Sequence, residues 1–357
     1  MIRGVWLLCG LAGVLCAQEA ESGFELRSTI AAGPVYSQEL TEAPRNGEPL
    51  TGGFQALLYP TWKLNSHWSV SGAIQVHSRP YFPEEFDTQG YGIRTNILNA
   101  NLSYSQFWGR NSLVIRAGQL TPAFGSFLLR YDPAQNPFNT VPAGYGYYSG
   151  GVAVAGLAGA QADATLGRFD MRAQLANSSP LNPRSVFDRD QYGTWLGGAG
   201  YTIRQGFRVG VSAFRGPYLD RNFRFYFRGE APPRELPATA YGLDVQWGRG
   251  PWNVFGEAAH FQMTYTRIPV VHLKTGYAEV RRVLNPRWFA AVRAGYTHPD
   301  PHPGSESYDV AAGFRANPFQ ILKFSYTLER YDNGAPADHV AMVQFVTSFK
   351  VLGLAGN

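Results

Sequence analysis

The sequence predicts an all-β chain closed into a transmembrane antiparallel β-barrel of 16 strands. Three observations carry that prediction. Apolar and polar side chains alternate with period 2 over segments of roughly 9–14 residues, close to what a tilted strand needs to cross a bilayer. The connections between these segments are alternately very short and long. Charged residues are only 16% of 357, aromatics are 14%, and the mean hydropathy is still slightly negative at -0.21. A soluble domain carries roughly 25% charge. An outer face against lipid and an inner face against water reconcile scarce charge with a polar average.

From the N-terminus, Met1-Ile2-Arg3 forms a short positive region and residues 4–15 (GVWLLCGLAGVL) an apolar one, broken at Cys16 to Glu19. This reads as a secretory signal peptide over 1–17, too short to span as a helix, leaving 18–357 as the barrel. Both cysteines, Cys9 and Cys16, fall in that leader, so no disulfide framework is expected. The net charge of +5 contains no Lys/Arg run, so no nucleic-acid partner is expected.

The alternation is plainest in five places. Trp68, Val70, Gly72, Ile74 and Val76 share one face, and so do Leu98, Ala100, Leu102 and Tyr104. Further on come Tyr241, Leu243, Val245 and Trp247, then Leu322, Phe324, Tyr326 and Leu328, and finally Ala341 to Phe349 at every second residue. Seven tight turns carry Gly, Asn or Pro chemistry or polar turn formers: 64–67, 109–111, 166–168, 204–206, 248–251, 284–287 and 317–320. Eight longer connections alternate with them, at about 33–51, 78–91, 120–147, 179–193, 215–238, 265–270, 298–306 and 332–338. Seven turns and eight loops join 16 strands, expected at 23–32, 52–64, 67–77, 92–108, 112–119, 148–165, 168–178, 194–204, 207–214, 239–248, 252–264, 271–284, 288–297, 307–316, 320–331 and 339–351. The even count puts both ends on the side of the short turns, which by the usual rule faces the periplasm of a bacterial outer membrane. A closed barrel leaves no strand edge unpaired in lipid.

Aromatics gather near strand ends: Tyr59, Trp62, Trp68, Tyr104, Phe107, Trp108, Trp195, Trp247, Trp252, Trp288, Phe289 and Phe319. They read as girdles at headgroup level, with outer-membrane lipids as partners. Parity turns Arg116, Arg172, Arg208, Arg293 and Arg315 inward, with Asp170, Asp244, Glu257, Asp309, Lys323 and Glu329. On the lipid face near the midplane an arginine or lysine would cost about 2–4 kcal/mol.

The third loop, about 120–147, is too apolar to wave in water: Phe124, Phe127, Leu128, Leu129 and Phe138 need a wall. Folded inward, it would narrow the lumen and set Arg130 and Asp132 opposite the wall arginines. The pore-lining candidates are therefore Arg116, Arg130, Asp132, Arg172, Arg208, Asp244, Glu257, Arg293, Asp309 and Arg315. A rival narrowing segment is the loop 215–238, whose Arg221, Arg224, Arg228 and Arg234 would make a basic vestibule.

No phosphate-cradling G-x-x-x-x-G-K-[ST] loop and no redox motif occurs, so no cofactor is expected. His298 and His302 lie four apart but in a Pro-rich loop, a poor metal site even with His77 nearby, and no metal is expected. A nucleophile–base–orienter set is not evident, so an enzyme is not expected.

The arrangement resembles the bacterial outer-membrane porin superfamily. The run Arg116-Ala117-Gly118-Gln119-Leu120-Thr121-Pro122-Ala123-Phe124-Gly125 is similar to the R-x-G … P-x-F-G segment of phosphate-selective and related substrate-selective porins. The resemblance implies passive diffusion of small hydrophilic solutes through a water-filled channel, often in a homotrimer. It implies a wall role for Arg116 near the narrow zone and a constriction role for the loop from Leu120 to Val141. Lysine ladders are missing, and the last aromatic, Phe349, is followed by KVLGLAGN rather than closing the chain. The residues themselves leave open a substrate-specific uptake channel, a non-conducting structural barrel and an outer-membrane enzyme.

Overall fold

The computed structural model describes residues 22–42, 48–82, 85, 92–146, 151–183, 193–219, 231–265 and 269–355. Residues 1–17, expected to form a leader, and Arg221, Arg224 and Arg228 lie outside them. The barrel strands are β1 (Gly23–Ser37), β2 (Leu50–Lys63), β3 (Trp68–Arg79), β4 (Gly92–Trp108), β5 (Asn111–Leu120), β8 (Leu157–Leu166), β9 (Phe169–Ala176) and β10 (Thr194–Arg204). They continue with β11 (Phe207–Pro217), β12 (Pro237–Arg249), β13 (Trp252–Met263), β14 (Val271–Val283), β15 (Trp288–Asp300), β16 (Ser305–Asn317), β17 (Gln320–Tyr331) and β18 (Asp338–Ala355). Two two-residue strands, β6 (Tyr145–Gly146) and β7 (Val152–Ala153), pair in parallel apart from the barrel.

Each barrel strand pairs antiparallel with its neighbours, and β1 closes on β18, with Gly23 opposite Ala355 on one side and Lys63 on the other. Sixteen strands in one closed ring satisfy the backbone without an edge, the condition lipid imposes. No described helix is long and apolar enough to cross a membrane. The tight turns fall where their chemistry places them. Gly109 and Gly167 sit at φ +59° and +61°, the left-handed conformation that two-residue hairpins require and that costs glycine little.

The outward faces are apolar and exposed, as at Trp68, Leu102, Leu175, Tyr241, Leu243, Val310 and Phe324. A soluble protein rarely leaves so continuous an apolar band in contact with water. The inward faces are polar and buried, as at Gln55, Gln75, Asp244, Glu279, Arg293, Asp309, Lys323 and Gln344.

Four expectations are corrected. The segment 148–165 is not one strand: β8 begins only at Leu157, and Val152, Ala153 and Val154 are buried within the preceding loop. The loop begun at Thr121 thus extends to Gly156, past the expected end at 147. Its Gly/Ala-rich composition imitates a strand, but these residues pack inside the ring. In β4, Leu98 does not share a face with Leu102, because the register slips between Ala73 and Ile74, where Ala73 pairs with Asn99 and Ile74 with Ile97. Leu98 is the extra residue of this bulge and turns inward, and the strand reverses parity there. Ile93 and Ile97 face outward before it, Ala100 and Leu102 after it, and Arg94 sits inside. Tyr59 and Phe289 are not girdle residues. Tyr59 bonds an inward carboxylate and Phe289 is buried. Finally, β18 runs on to Ala355 past Phe349, its pairing with β1 interrupted between Leu26 and Arg27.

Candidate functional site

The described residues of the loop from Thr121 to Gly156 bond to eleven strands of the ring: β1, β2, β3, β5, β9, β11, β13, β14, β15, β16 and β17. Contacts distributed around a closed ring are made only from inside it. The loop therefore crosses the lumen.

It enters on an apolar anchor. Phe124 packs edge-on to Phe214 at 5.5 Å and against Phe261 at 5.6 Å, in a cluster completed by Phe127, Tyr145 and Tyr277. These are the inward apolar residues of β11, β13 and β14, whose parity buries them opposite the loop. Beside them Ala123 donates its amide to Gln174 (2.8 Å), and Gly125 donates its amide to Ser212 (3.1 Å). Arg172 donates to the Gly125 carbonyl at 2.7 Å. Gly125 has φ +65°, and a Cβ there would overlap Tyr145 Oη and Glu257 Oε2, so only glycine fits.

Glu257 is the hub of the next turn. It accepts from the Ser126 amide (3.1 Å) and hydroxyl (2.8 Å), from Tyr145 Oη (2.5 Å) and from Tyr277 Oη (2.8 Å). A short 3-10 turn, Phe127–Arg130, then carries Arg130 to Glu279 (3.1 Å) and Tyr277 Oη (3.1 Å), with its guanidinium 3.6 Å over the Phe255 ring. Burial works against that charge, but the carboxylate of Glu279 leads the groups that offset it and hold the Arg130 pKa above its ordinary value.

The far side of the ring holds the rest. Tyr131 Oη accepts from Gln55 (3.0 Å) and Gln75 (2.6 Å). Asp132 accepts from Tyr59 Oη (2.6 Å) and Thr29 Oγ1 (3.0 Å). Lys323 donates to the carbonyls of Pro133 (2.9 Å), Asn136 (3.2 Å) and Phe138 (3.4 Å). Arg293 pairs with Asp309 (2.9 Å), donates to Thr140 Oγ1 (2.5 Å) and covers the Phe138 ring at 4.3 Å.

The candidates thus fall into three groups. Arg130, Asp132, Arg172, Glu257, Arg293 and Asp309 meet at the loop. Arg116 pairs with Asp163 on the wall, and Arg208 with Asp170 (2.6 Å) and Asp244 (2.5 Å). Arg315 joins neither group and lies 6.0 Å from the Phe289 ring. Neither Arg130 nor Asp132 bonds a wall arginine. Their partners are a carboxylate and hydroxyls, since a buried guanidinium and a buried carboxylate each need the complementary group. Sequence reasoning missed Glu279, Arg281, Tyr131, Gln55 and Gln75. Parity in 271–284, where Leu273, Thr275, Tyr277, Glu279 and Arg281 share a face, could have shown the first two.

Between loop residues 140–145 and β15–β18 lies a cavity of about 340 Å³, lined by Asp309, Glu329, Asp338, Thr327 and Tyr331 among others. Among the described residues, no group of three His, Cys, Asp or Glu side chains is placed to hold a metal. His298 instead faces Asp332 at 3.6 Å, and His77 bonds Glu85 at 3.0 Å.

No protein-family model and no curated protein matches the chain. Solved structures do. OmpF of Salmonella typhi superposes with a TM-score of 0.62 at 10% identity, over 91% of this chain and 97% of that one. An anion-selective porin from Comamonas acidovorans gives 0.62 at 8% identity, over 92% and 100%. The trimer form of OmpT, an outer membrane protein of Vibrio cholerae, gives 0.59 at 8% identity, again over 92% and 100%. With the closed ring and its apolar exterior, these likenesses identify the chain as a 16-stranded transmembrane barrel with the fold of the bacterial outer-membrane porins.

Proposed function

We propose that the chain is an outer-membrane channel through which small hydrophilic solutes diffuse passively. One observation supports the reading above others: a loop bound by charged and polar side chains crosses a ring whose outer face is apolar and whose inner face is polar. Such a segment narrows a water-filled path without sealing it by apolar packing alone. In this reading the narrow zone is set by Arg130, Asp132, Glu257, Arg293 and Asp309. Arg172 joins it at the Gly125 carbonyl, Arg116, Arg208 and Asp244 line the neighbouring wall, and Arg315 lies toward the short turns. The non-catalytic character belongs to the same reading, and so do the leader at 1–17 and the short turns facing the periplasm.

A homotrimer is part of the proposal, because OmpT of Vibrio cholerae is described in a trimer form. The outward face of β8 offers Ala158, Ala160, Ala162 and Ala164, small enough for close contact with a neighbour. The cavity of about 340 Å³ beside Asp309, Glu329 and Asp338 favours a second reading, a channel with a preferred solute.

Reconstitution in planar bilayers tests both. Ohmic steps that scale with bath conductivity support diffusion. A current that a single solute blocks saturably supports the second reading. No conductance across a correctly folded barrel overturns both.

A further inference from the structure

Most inward cations of the described barrel have a protein partner. Arg116 has Asp163, Arg130 has Glu279, Arg208 has Asp170 and Asp244, and Arg293 has Asp309. Arg172 and Lys323 bond loop carbonyls. Arg281 and Arg315 differ. Among the described residues no carboxylate pairs with either, no hydrogen bond is made by either guanidinium, and Arg281 Nε is buried without a partner.

Both arginines address one ring. Phe289, buried at the start of β15, lies over Gly313, where a Cβ would overlap it. The Arg281 guanidinium is 4.5 Å and the Arg315 guanidinium 6.0 Å from the ring centre. Arg281 is two residues from the end of β14, and Arg315 two from the end of β16, so both are near the short-turn mouth. Along β14, Glu279 gives one oxygen to Arg130, and its other oxygen is buried without a hydrogen-bond partner two residues from Arg281.

We propose that Arg281, Arg315 and Phe289 form an oxyanion-binding subsite, for a carboxylate or phosphate group, on the short-turn side of the crossing loop. Two like charges gathered at one ring repel each other until a counter-ion joins them. Neither guanidinium donates a hydrogen bond among the described residues, and its planar fork matches two oxygens of a carboxylate or phosphate. The Phe289 ring, 4.5 Å from the Arg281 guanidinium, holds that side chain in place, so little of its freedom is lost on binding. The subsite rests on the channel reading only for its effect on current; binding itself does not.

The test pairs two measurements on the refolded full-length barrel. In bilayers bathed in chloride, inorganic phosphate added on the short-turn side reduces the current saturably, and acetate does so more weakly. Calorimetry in detergent with inorganic phosphate reads binding directly. Arg281→Gln with Arg315→Gln weakens phosphate binding at least tenfold, whereas Arg249→Gln, an exposed arginine at the end of β12, leaves it unchanged. Should the double glutamine variant fail to fold, Arg281→Lys with Arg315→Lys keeps both charges but removes the forks. It then lowers phosphate affinity while preserving the reversal potential. Wild-type affinity in the folded double glutamine variant, or in the lysine pair, overturns the subsite. Phosphate binding without any conductance overturns the channel reading and leaves the subsite standing.

Discussion

Replacing Glu257 by alanine removes the acceptor of four hydrogen bonds, two from Ser126 in the first turn of the crossing loop, one from Tyr145 farther along the loop and one from Tyr277 of β14. A hydrogen bond to a charged group contributes about 1.5–3 kcal/mol. The two from Ser126 share one carboxylate and do not add fully, so the net loss to the first turn is about 2–3 kcal/mol. At 1.4 kcal/mol per tenfold, the detached form of residues 123–130 rises about 30- to 100-fold. Hydrogen exchange measures it directly. The amides of Gly125 and Ser126, which are bonded to Ser212 and Glu257, exchange correspondingly faster. The paired amides of β5 and β13 do not change, because the sheet ladder is untouched. Single-channel recordings show a larger and noisier conductance. Glu257→Gln, which keeps one oxygen, falls between. Unchanged exchange at Ser126 in Glu257→Ala would refute the assignment of this carboxylate as the anchor.

Phe124→Ala empties the pocket between Phe214 and Phe261 and costs the loop about 3–5 kcal/mol, read as accelerated proteolysis within 121–131 of the folded barrel. Gly125→Ala forces a left-handed residue, at about 1–2 kcal/mol before its overlap with Tyr145 and Glu257, and exchange at Ser126 rises as in the glutamate variant. Lys323→Met leaves the carbonyls of Pro133, Asn136 and Phe138 without their shared donor, at about 1–3 kcal/mol, and exposes 133–139 to exchange while the barrel remains resistant to heat in detergent. Ile97→Cys reacts with a lipid-soluble maleimide and Leu98→Cys does not; the reverse pattern would contradict the bulge in β4.

The ring was legible because two local signals agree: period-2 parity and turn chemistry every second connection. Seven turns and the alternation at residues such as Tyr241 and Leu243 need no knowledge of partners. What the sequence concealed is what depends on partners. No residue type marks the bulge at Leu98, since leucine suits either face. The stretch Gly151 to Gly156 alternates small and apolar residues as a strand does, and only burial against the loop separates it from β8. Arg130 showed that the loop is charged, but its partner Glu279 lies 149 positions away. A longer separation, 185 to 190 positions, hides the role of Lys323, whose carbonyl acceptors come from residues 133 to 138.

Thr29 lies on β1 and donates to Asp132 of the crossing loop. The same hydroxyl is 2.8 Å from Ser348 of β18, across the seam where the first and last strands meet. One atom therefore registers two separate events of assembly, the tucking of a segment drawn from mid-chain and the zipping of the two chain ends. A chain that zips first would have to thread its loop into a finished cylinder. A chain that tucks first brings Asp132 to the open edge of β1 as a marker of the correct alignment. Refolding of Asp132→Asn and Thr29→Val should then slow at closure, while the finished barrels differ little in stability.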